Sequence, residues 1–464
     1  MSESKAQAPK NGPVAGLPIH ITPESLLREM QQVSEKITRG SQRLANYTEE
    51  QLAIATAPKD EVWRQDMVRL YHYRPTVAKP ARVPVLLAYA LVGRYQMIDL
   101  EPDRSFVRKL LAEGLDVYVV DWGVPTRAQR WLTIDDYVSG YLDDCVDFIR
   151  ESHDVQQINL LGVCQGGVFA TCYAALFPEK LKSLVLTVTP LDFHGDQGHE
   201  EVGAGYMNLW ARAMTPDDID LMVDTMGTAP GALVGFSFLM MSPIGNITKY
   251  TAELFDILDD EAKMLGFLHM ERWIADRPGH PGEVMRQWFK DLYQANKLVR
   301  SELVLGGRKV ELDKIRMPVL NVYATGDVIV PTSCSRGMEG KFGTDDYSEL
   351  SVPGGHIGTF VGGKAQKVLA PSIAQCCGNG TSFAAQRRPR GPAGGLRARR
   401  GAAKFVGLSY ESRRALGSGA NCLPGGYQRL KLRTSSPLRT AQRTCSNELA
   451  PSCVQRMWPF RFRR

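Results

Sequence analysis

A chain of 464 residues with 44% apolar content can bury a large core, and its length fits one large domain or two or three smaller ones. The polar start "MSESKAQAPKNGPVAG" lacks the apolar stretch of a secretory leader. The longest apolar runs, "VPVLLAYALV" and "LVGFSFLMM", reach about ten residues against the roughly 18–20 of a membrane-spanning helix, so a soluble cytoplasmic protein is expected. The net charge of +6 averages two unlike parts: residues 376–464 hold 18 Lys and Arg against only Glu411 and Glu448, a net +16, which leaves −10 on residues 1–375.

Residues 1–22 read as a disordered leader and 23–64 as an N-terminal helical segment. Thr22-Pro23-Glu24 supplies an N-cap, an N1 proline and a first-turn acid. Leu26, Leu27, Met30, Val33 and Ile37 follow at helical spacing, and the resulting helix, over about 23–44, is expected to pack on the body. From residue 65 the pattern alternates between strand and helix. The runs at 83–91, 115–123, 158–163, 181–190 and 317–325 are continuously apolar and end in turn signals, as strands buried on both faces of a parallel sheet do. Between them, 134–150 places Ile134, Tyr137, Val138, Tyr141, Leu142, Cys145, Val146 and Ile149 on one helical side. The class is α/β, a mostly parallel, doubly wound sheet.

The alternation stops after Pro190 and resumes near Met317. The interval 191–316 is rich in Met and aromatics and is expected to be a mainly helical cap inserted between two parts of the sheet domain, 65–190 and 317–375. Residues 376–464 lack sustained periodicity and are heavy in Arg, Gly, Ala and Ser, a composition that cannot offset chain entropy by burial. A disordered basic tail is expected, either a genuine extension or an out-of-frame translation of GC-rich DNA. The nine cysteines are scattered without C-x-x-C spacing, which suggests a reducing compartment and no metal site.

The stretch "INLLGVCQGG" carries the chemistry. An apolar run ends in Gly162-Val163-Cys164-Gln165-Gly166 and small residues open a helix. This is the shape of a nucleophile elbow, G-x-S-x-G, with cysteine in place of serine. In such a turn the side chain is exposed at the tip, the helix N-terminus favours negative charge, and the next backbone N–H can stabilise an oxyanion. Gly162 and Gly166 relieve crowding there. Asp327 directly follows the apolar run 317–325, and His356 lies in a Gly-rich loop 29 residues later. The order nucleophile, acid, histidine makes Cys164, Asp327 and His356 the candidate triad. His194, His199, His269 and His280 show no ligand spacing and are taken as structural or solvated. Asp192 reads as a turn residue, and Cys172 and Cys334 as packed. No phosphate-binding loop is present, so no nucleotide cofactor is expected.

With these residues in place, the chain resembles the catalytic (PhaC-type) subunit of class III polyhydroxyalkanoate synthases, members of the α/β-hydrolase superfamily. The resemblance runs over about residues 65–374, in "YALVGRYQMIDLEPDRS", "DVYVVDWG", "NLLGVCQGG", "DLMVDTMG", "PVLNVYATGDVIVP" and "PGGHIGTFVGGKAQK". It implies an acyltransferase that polymerises (R)-3-hydroxyacyl-CoA, chiefly 3-hydroxybutyryl-CoA, with release of CoA and no cofactor. It implies a Cys164 thioester, deprotonation of the thiol by His356, and Asp327 orienting His356 or helping to activate the attacking hydroxyl. The backbone N–H groups of Gln165 and Val92 would form the oxyanion hole. A second (PhaE-like) subunit, the growing polymer and its granule surface are the implied partners, in a homodimer or hetero-oligomer. Many relatives carry His where this chain has Val328, and Asn is common where Gly93 stands. The alternatives are a thioesterase, esterase or depolymerase on the same scaffold, or nonspecific polyanion binding by Arg clusters such as "RARR"; no specific nucleic-acid recognition is expected.

Overall fold

The computed structural model describes residues 22–197 and 205–378. The leader up to residue 21, His199 and the tail beyond 378 lie outside the described residues. An eight-stranded sheet forms the body. In chain order its strands are β1 (Lys59–Gln65), β2 (Val68–Tyr73), β3 (Val85–Ala88), β4 (Val117–Asp121), β5 (Ile158–Val163), β6 (Leu181–Thr187), β7 (Val319–Ala324) and β8 (Tyr347–Val352). Their spatial order is β1-β2-β4-β3-β5-β6-β7-β8. β1 and β2, and β2 and β4, pair antiparallel, while the pairings from β4 to β8 are parallel. The expected strand runs hold, 158–163 with the same bounds and the other four with shorter ends. β3, β4 and β5 are buried at every position, which is why they read as unbroken apolar runs.

Two features of the N-terminal region differ from expectation. The sheet begins at Lys59, inside the segment expected to be helical, because β1 is an edge strand of half-exposed and charged residues with no apolar run to reveal it. The first helix, α1 (Pro23–Asn46), has the expected Thr22 cap, closed by Ser25 in a capping box. Its apolar stripe is not packed on the body: Leu26, Leu27, Met30, Val33 and Ile37 are exposed. Gly40 is its one buried residue, set against Leu258 of the cap, and Lys36, Arg39 and Arg43 reach the backbone of Asp256, the carboxylate of Asp259 and the backbone of Leu258.

Helices cover both faces of the sheet, which separates two large core clusters; a small third cluster surrounds Ala211, Ile219 and Phe289. The stretch from Asp136 begins as a π-helical turn and continues as α2 (Asp143–His153). All eight residues expected to face inward, from Ile134 to Ile149, are buried. The elbow helix, α3 (Gln165–Leu176), is buried over almost its whole length. Its Phe169 packs edge-on against Trp122 and Trp288 and stacks on Tyr137, with ring centroids 5.8–6.2 Å away. Residues 206–294 form the mainly helical cap, including a long helix, α4 (Glu261–Ala275), and a two-residue strand pairing of Thr228–Ala229 with His280–Pro281. No single described helix is long and apolar enough to cross a membrane. The last described helix, α5 (Gly363–Gly378), continues past the expected boundary at 375 and buries Cys377.

Since Phe169 anchors the elbow helix among three rings, Phe169→Ala is expected to cost about 3–5 kcal/mol of stability, read as a lower urea midpoint at unchanged slope. A loss below about 1 kcal/mol would show that this cluster does not hold the elbow helix.

Candidate active site

Cys164 stands between β5 and α3 with φ +53° and ψ −118°, a conformation that costs a non-glycine residue on the order of 1–3 kcal/mol. Hydrogen bonds hold the turn: the Cys164 N–H donates to Thr187 O at 2.9 Å, and its carbonyl accepts from Gly167 at 2.9 Å. The two elbow glycines are required by close approach. A Cβ on Gly166 would sit 2.2 Å from the Ala88 carbonyl oxygen, and one on Gly162 would sit 2.4 Å from Gly167 Cα. The thiol is therefore presented at the C-terminal edge of the sheet, where open α/β folds place their sites.

The other two candidate residues converge on it. Asp327 follows β7, and its Oδ1 accepts hydrogen bonds from the N–H groups of Ile329 and Val330, both at 2.9 Å. Its Oδ2 lies 2.7 Å from His356 Nδ1. The loop after β8 is brought alongside by the Gly326 N–H, which donates to Gly354 O at 2.9 Å. The Cys164 sulfur lies close enough to the His356 imidazole to interact with it electrostatically. His356 and Asp327 are buried, at 9% and 4% exposure, and Cys164 is half-buried. Burial pushes the His356 ring toward neutrality, but the Asp327 carboxylate and the Cys164 sulfur outweigh it, so the imidazolium is held well above its ordinary range. An acid, a base and a thiol in this chain of contacts can move a proton off sulfur and return it to a leaving group.

Gln165 opens α3, and the first N–H groups of a helix have no intrahelical acceptor. Its side chain turns back, and Oε1 accepts from the Leu91 N–H at 3.0 Å, which ties the loop carrying Val92 to the elbow. Gly93 lies under a cap residue: a Cβ there would sit 2.9 Å from Trp273 Cζ2, so any larger residue requires the indole to shift. Val328 is half exposed and no described contact links it to the triad.

The remaining candidates stand apart. His269 is buried between Glu101 at 3.0 Å and the Gln51 carbonyl at 2.7 Å, and His194 faces the Tyr293 carbonyl at 2.8 Å. His280 is buried with neither ring nitrogen bonded, and burial lowers its pKa to about 4. Asp192 organises a turn, accepting from His194 N–H and Asn296. Cys172 and Cys334 are buried. Sequence reasoning missed Tyr89 and Tyr293. Burial first, then the nearby Cys164 sulfur, pushes both phenols above their ordinary range, so they stay neutral beside the thiol.

Comparison with known proteins gives the family and the fold. Residues 83–362 match the model of the α/β-hydrolase fold, and residues 9–110 match the N-terminal model of poly-beta-hydroxybutyrate polymerase, PhaC. The chain is 45% identical over 358 residues to the poly(3-hydroxyalkanoate) polymerase subunit PhaC of Allochromatium vinosum, covering 77% of this chain and 98% of that protein. It is also 45% identical to the subunit of the same name from a Synechocystis strain, over 76% of this chain and 92% of that one. The chain belongs to the PhaC polymerase family. Among solved structures, a Pseudomonas aeruginosa hydrolase aligns at 12% identity with a TM-score of 0.43, over 70% of this chain and all of that one. As a PhaC polymerase the chain is an acyltransferase of hydroxyacyl-CoA, and a hydrolase assignment is not favoured.

The state of His356 is open to direct test. Asp327→Asn removes the carboxylate that keeps the ring protonated, so the His356 titration midpoint seen by histidine NMR is expected to fall. The sign for stability follows from linkage. The raised value stabilises the wild type fully below the unfolded-state value of about 6.5, and this is lost as pH rises through the folded value. The wild-type advantage over Asp327→Asn should therefore shrink at higher pH. An unmoved midpoint would exclude Asp327 as the cause.

Proposed function

We propose that this PhaC polymerase carries its growing chain as a thioester on Cys164, working on short (R)-3-hydroxyacyl-CoA, chiefly 3-hydroxybutyryl-CoA. The observation that carries the reading is His356, hydrogen-bonded to Asp327 and electrostatically coupled to the thiol of a strained elbow residue, Cys164. His356 takes the thiol proton, and the thiolate attacks the carbonyl carbon of the acyl-CoA. The oxyanion is met by the N–H groups of Gln165 and Val92. The C–S bond to CoA breaks, and CoA leaves with the proton held by His356. The 3-hydroxyl of a second acyl unit then attacks the enzyme thioester, gives its proton to His356, and the ester bond forms as Cys164 is released. Asp327 keeps the imidazole oriented throughout.

Cysteine in place of serine supports transfer over hydrolysis. A thioester stays near the energy of the CoA thioester that formed it, so passage to a hydroxyl remains favourable. Wild-type protein given (R)-3-hydroxybutyryl-CoA should release CoA and form polymer. Cys164→Ala should abolish both, and His356→Ala should slow CoA release by roughly 10²–10⁴-fold. Free 3-hydroxybutyrate as the sole product would sink the polymerase mechanism in favour of a thioesterase.

The relatives are named polymerase subunits, and this supports a second (PhaE-like) subunit as partner, as in class III enzymes, at the polymer granule surface. The exposed stripe of α1 is the surface best suited to receive it, since its apolar side chains are 42–60% exposed among the described residues. Met30→Asp combined with Val33→Asp should weaken co-purification with that subunit at least about tenfold while circular dichroism stays unchanged. Undiminished binding would place the contact elsewhere.

A further inference from the structure

The loop Leu91-Val92-Gly93-Arg94 is held at three points by side chains far away in sequence. Gln165 Oε1 accepts from the Leu91 N–H at 3.0 Å. Arg277 Nη1 donates to the Val92 carbonyl at 3.0 Å. Trp273 Nε1 donates to the Arg94 carbonyl at 2.8 Å. The peptide that bears the Val92 N–H therefore lies between one fixed by the elbow and one fixed by the cap. Trp273 is the third-last residue of α4, and Arg277 follows two residues after that helix ends. The two support each other: the guanidinium lies 5.1 Å from the Trp273 ring centroid and 4.6 Å from that of Phe238, and Trp273 is buried against Gly93. Asp276, between them, pairs with Arg94 at 3.3 Å.

We infer that Arg277 is a positioning residue for the oxyanion hole, holding with Trp273 the direction of the Val92 N–H and so coupling the placement of the cap to transition-state stabilisation. This rests on the assignment of Val92 under the proposed function. An oxyanion donor interacts with charge that develops only in the transition state, so loosening it lowers the rate of acyl transfer and leaves ground-state binding alone. Deleting such a donor outright costs about 10²–10³-fold; misaiming it costs less.

The test compares two reactions of the same sulfur. Acylation by p-nitrophenyl butyrate forms a C–S bond through a tetrahedral oxyanion, expels p-nitrophenolate, and passes the thiol proton to His356. Alkylation by iodoacetamide displaces iodide at a saturated carbon and forms no oxyanion. Both report on Cys164 whichever acyl-CoA the enzyme prefers, so failure here is distinct from failure of the polymerase mechanism. Cys164→Ala supplies the background for each. Arg277→Met is expected to slow acylation roughly 10–100-fold with alkylation within twofold of wild type. Arg277→Lys should recover much of the loss, and Trp273→Phe, which keeps a ring and removes the N–H, should show a smaller loss of the same kind. Equal acylation rates in wild type and Arg277→Met would overturn the inference. So would a parallel fall in alkylation, which would mean that the elbow itself had been disturbed.

Discussion

The backbone turn at Cys164 is the constraint from which the site follows. A cysteine at φ +53° is held there because β5 runs straight into a buried helix with no room for a wider connection. Gly166 abuts the carbonyls of Ala88 and Tyr89 at the end of β3, and the Cys164 N–H is drawn to β6 through Thr187. The strain of about 1–3 kcal/mol is offset by the packing of α3, whose Phe169, Cys172 and Tyr173 are fully buried. Relaxing the turn would withdraw the sulfur from the edge of the sheet and shift the Gln165 N–H with it. One local geometry thus sets the proposed nucleophile and one proposed oxyanion donor together.

Electrostatics around the thiol depends on that placement. His356 is buried, and burial alone would favour a neutral ring; the Asp327 carboxylate reverses this. Asp327 keeps its orientation through the Ile329 and Val330 N–H groups, leaving its second oxygen for the imidazole. The pair can therefore store the thiol proton as an imidazolium without solvent. Water exclusion matters to a polymerase because water competes with the hydroxyl for the acyl-enzyme.

Much of this was legible in the sequence where a single segment carries the information. The elbow is written in five consecutive residues, and the eight inward positions from Ile134 to Ile149 follow from helical spacing. Asp327 and His356 were found by their order and their places after strands. What stayed hidden depends on contacts between distant segments. β1 is an edge strand whose charged residues show no apolar run. The amphipathicity of α1 shows that it has an apolar face but not what covers it, and the expectation that it packs on the body failed for that reason. Arg277 and Trp273 meet the oxyanion loop from 185 and 179 residues away, and nothing local in "ERWIADRPG" marks them as partners of "LVGR".

The cap thus has a second role beyond covering the sheet. Through Trp273, Asp276 and Arg277 it grips the loop that faces the elbow, so changes in the cap reach the reacting atoms without touching the triad. The central claim remains that the polymer chain is carried on Cys164. Acid quenching of the protein during turnover of (R)-3-hydroxybutyryl-CoA, followed by peptide mass spectrometry, tests it most directly. The account predicts 3-hydroxybutyryl mass increments on the peptide bearing Cys164, lost on treatment with neutral hydroxylamine, as thioesters are. Polymer formation with an unmodified Cys164 peptide, or with the acyl group on another residue, would contradict it.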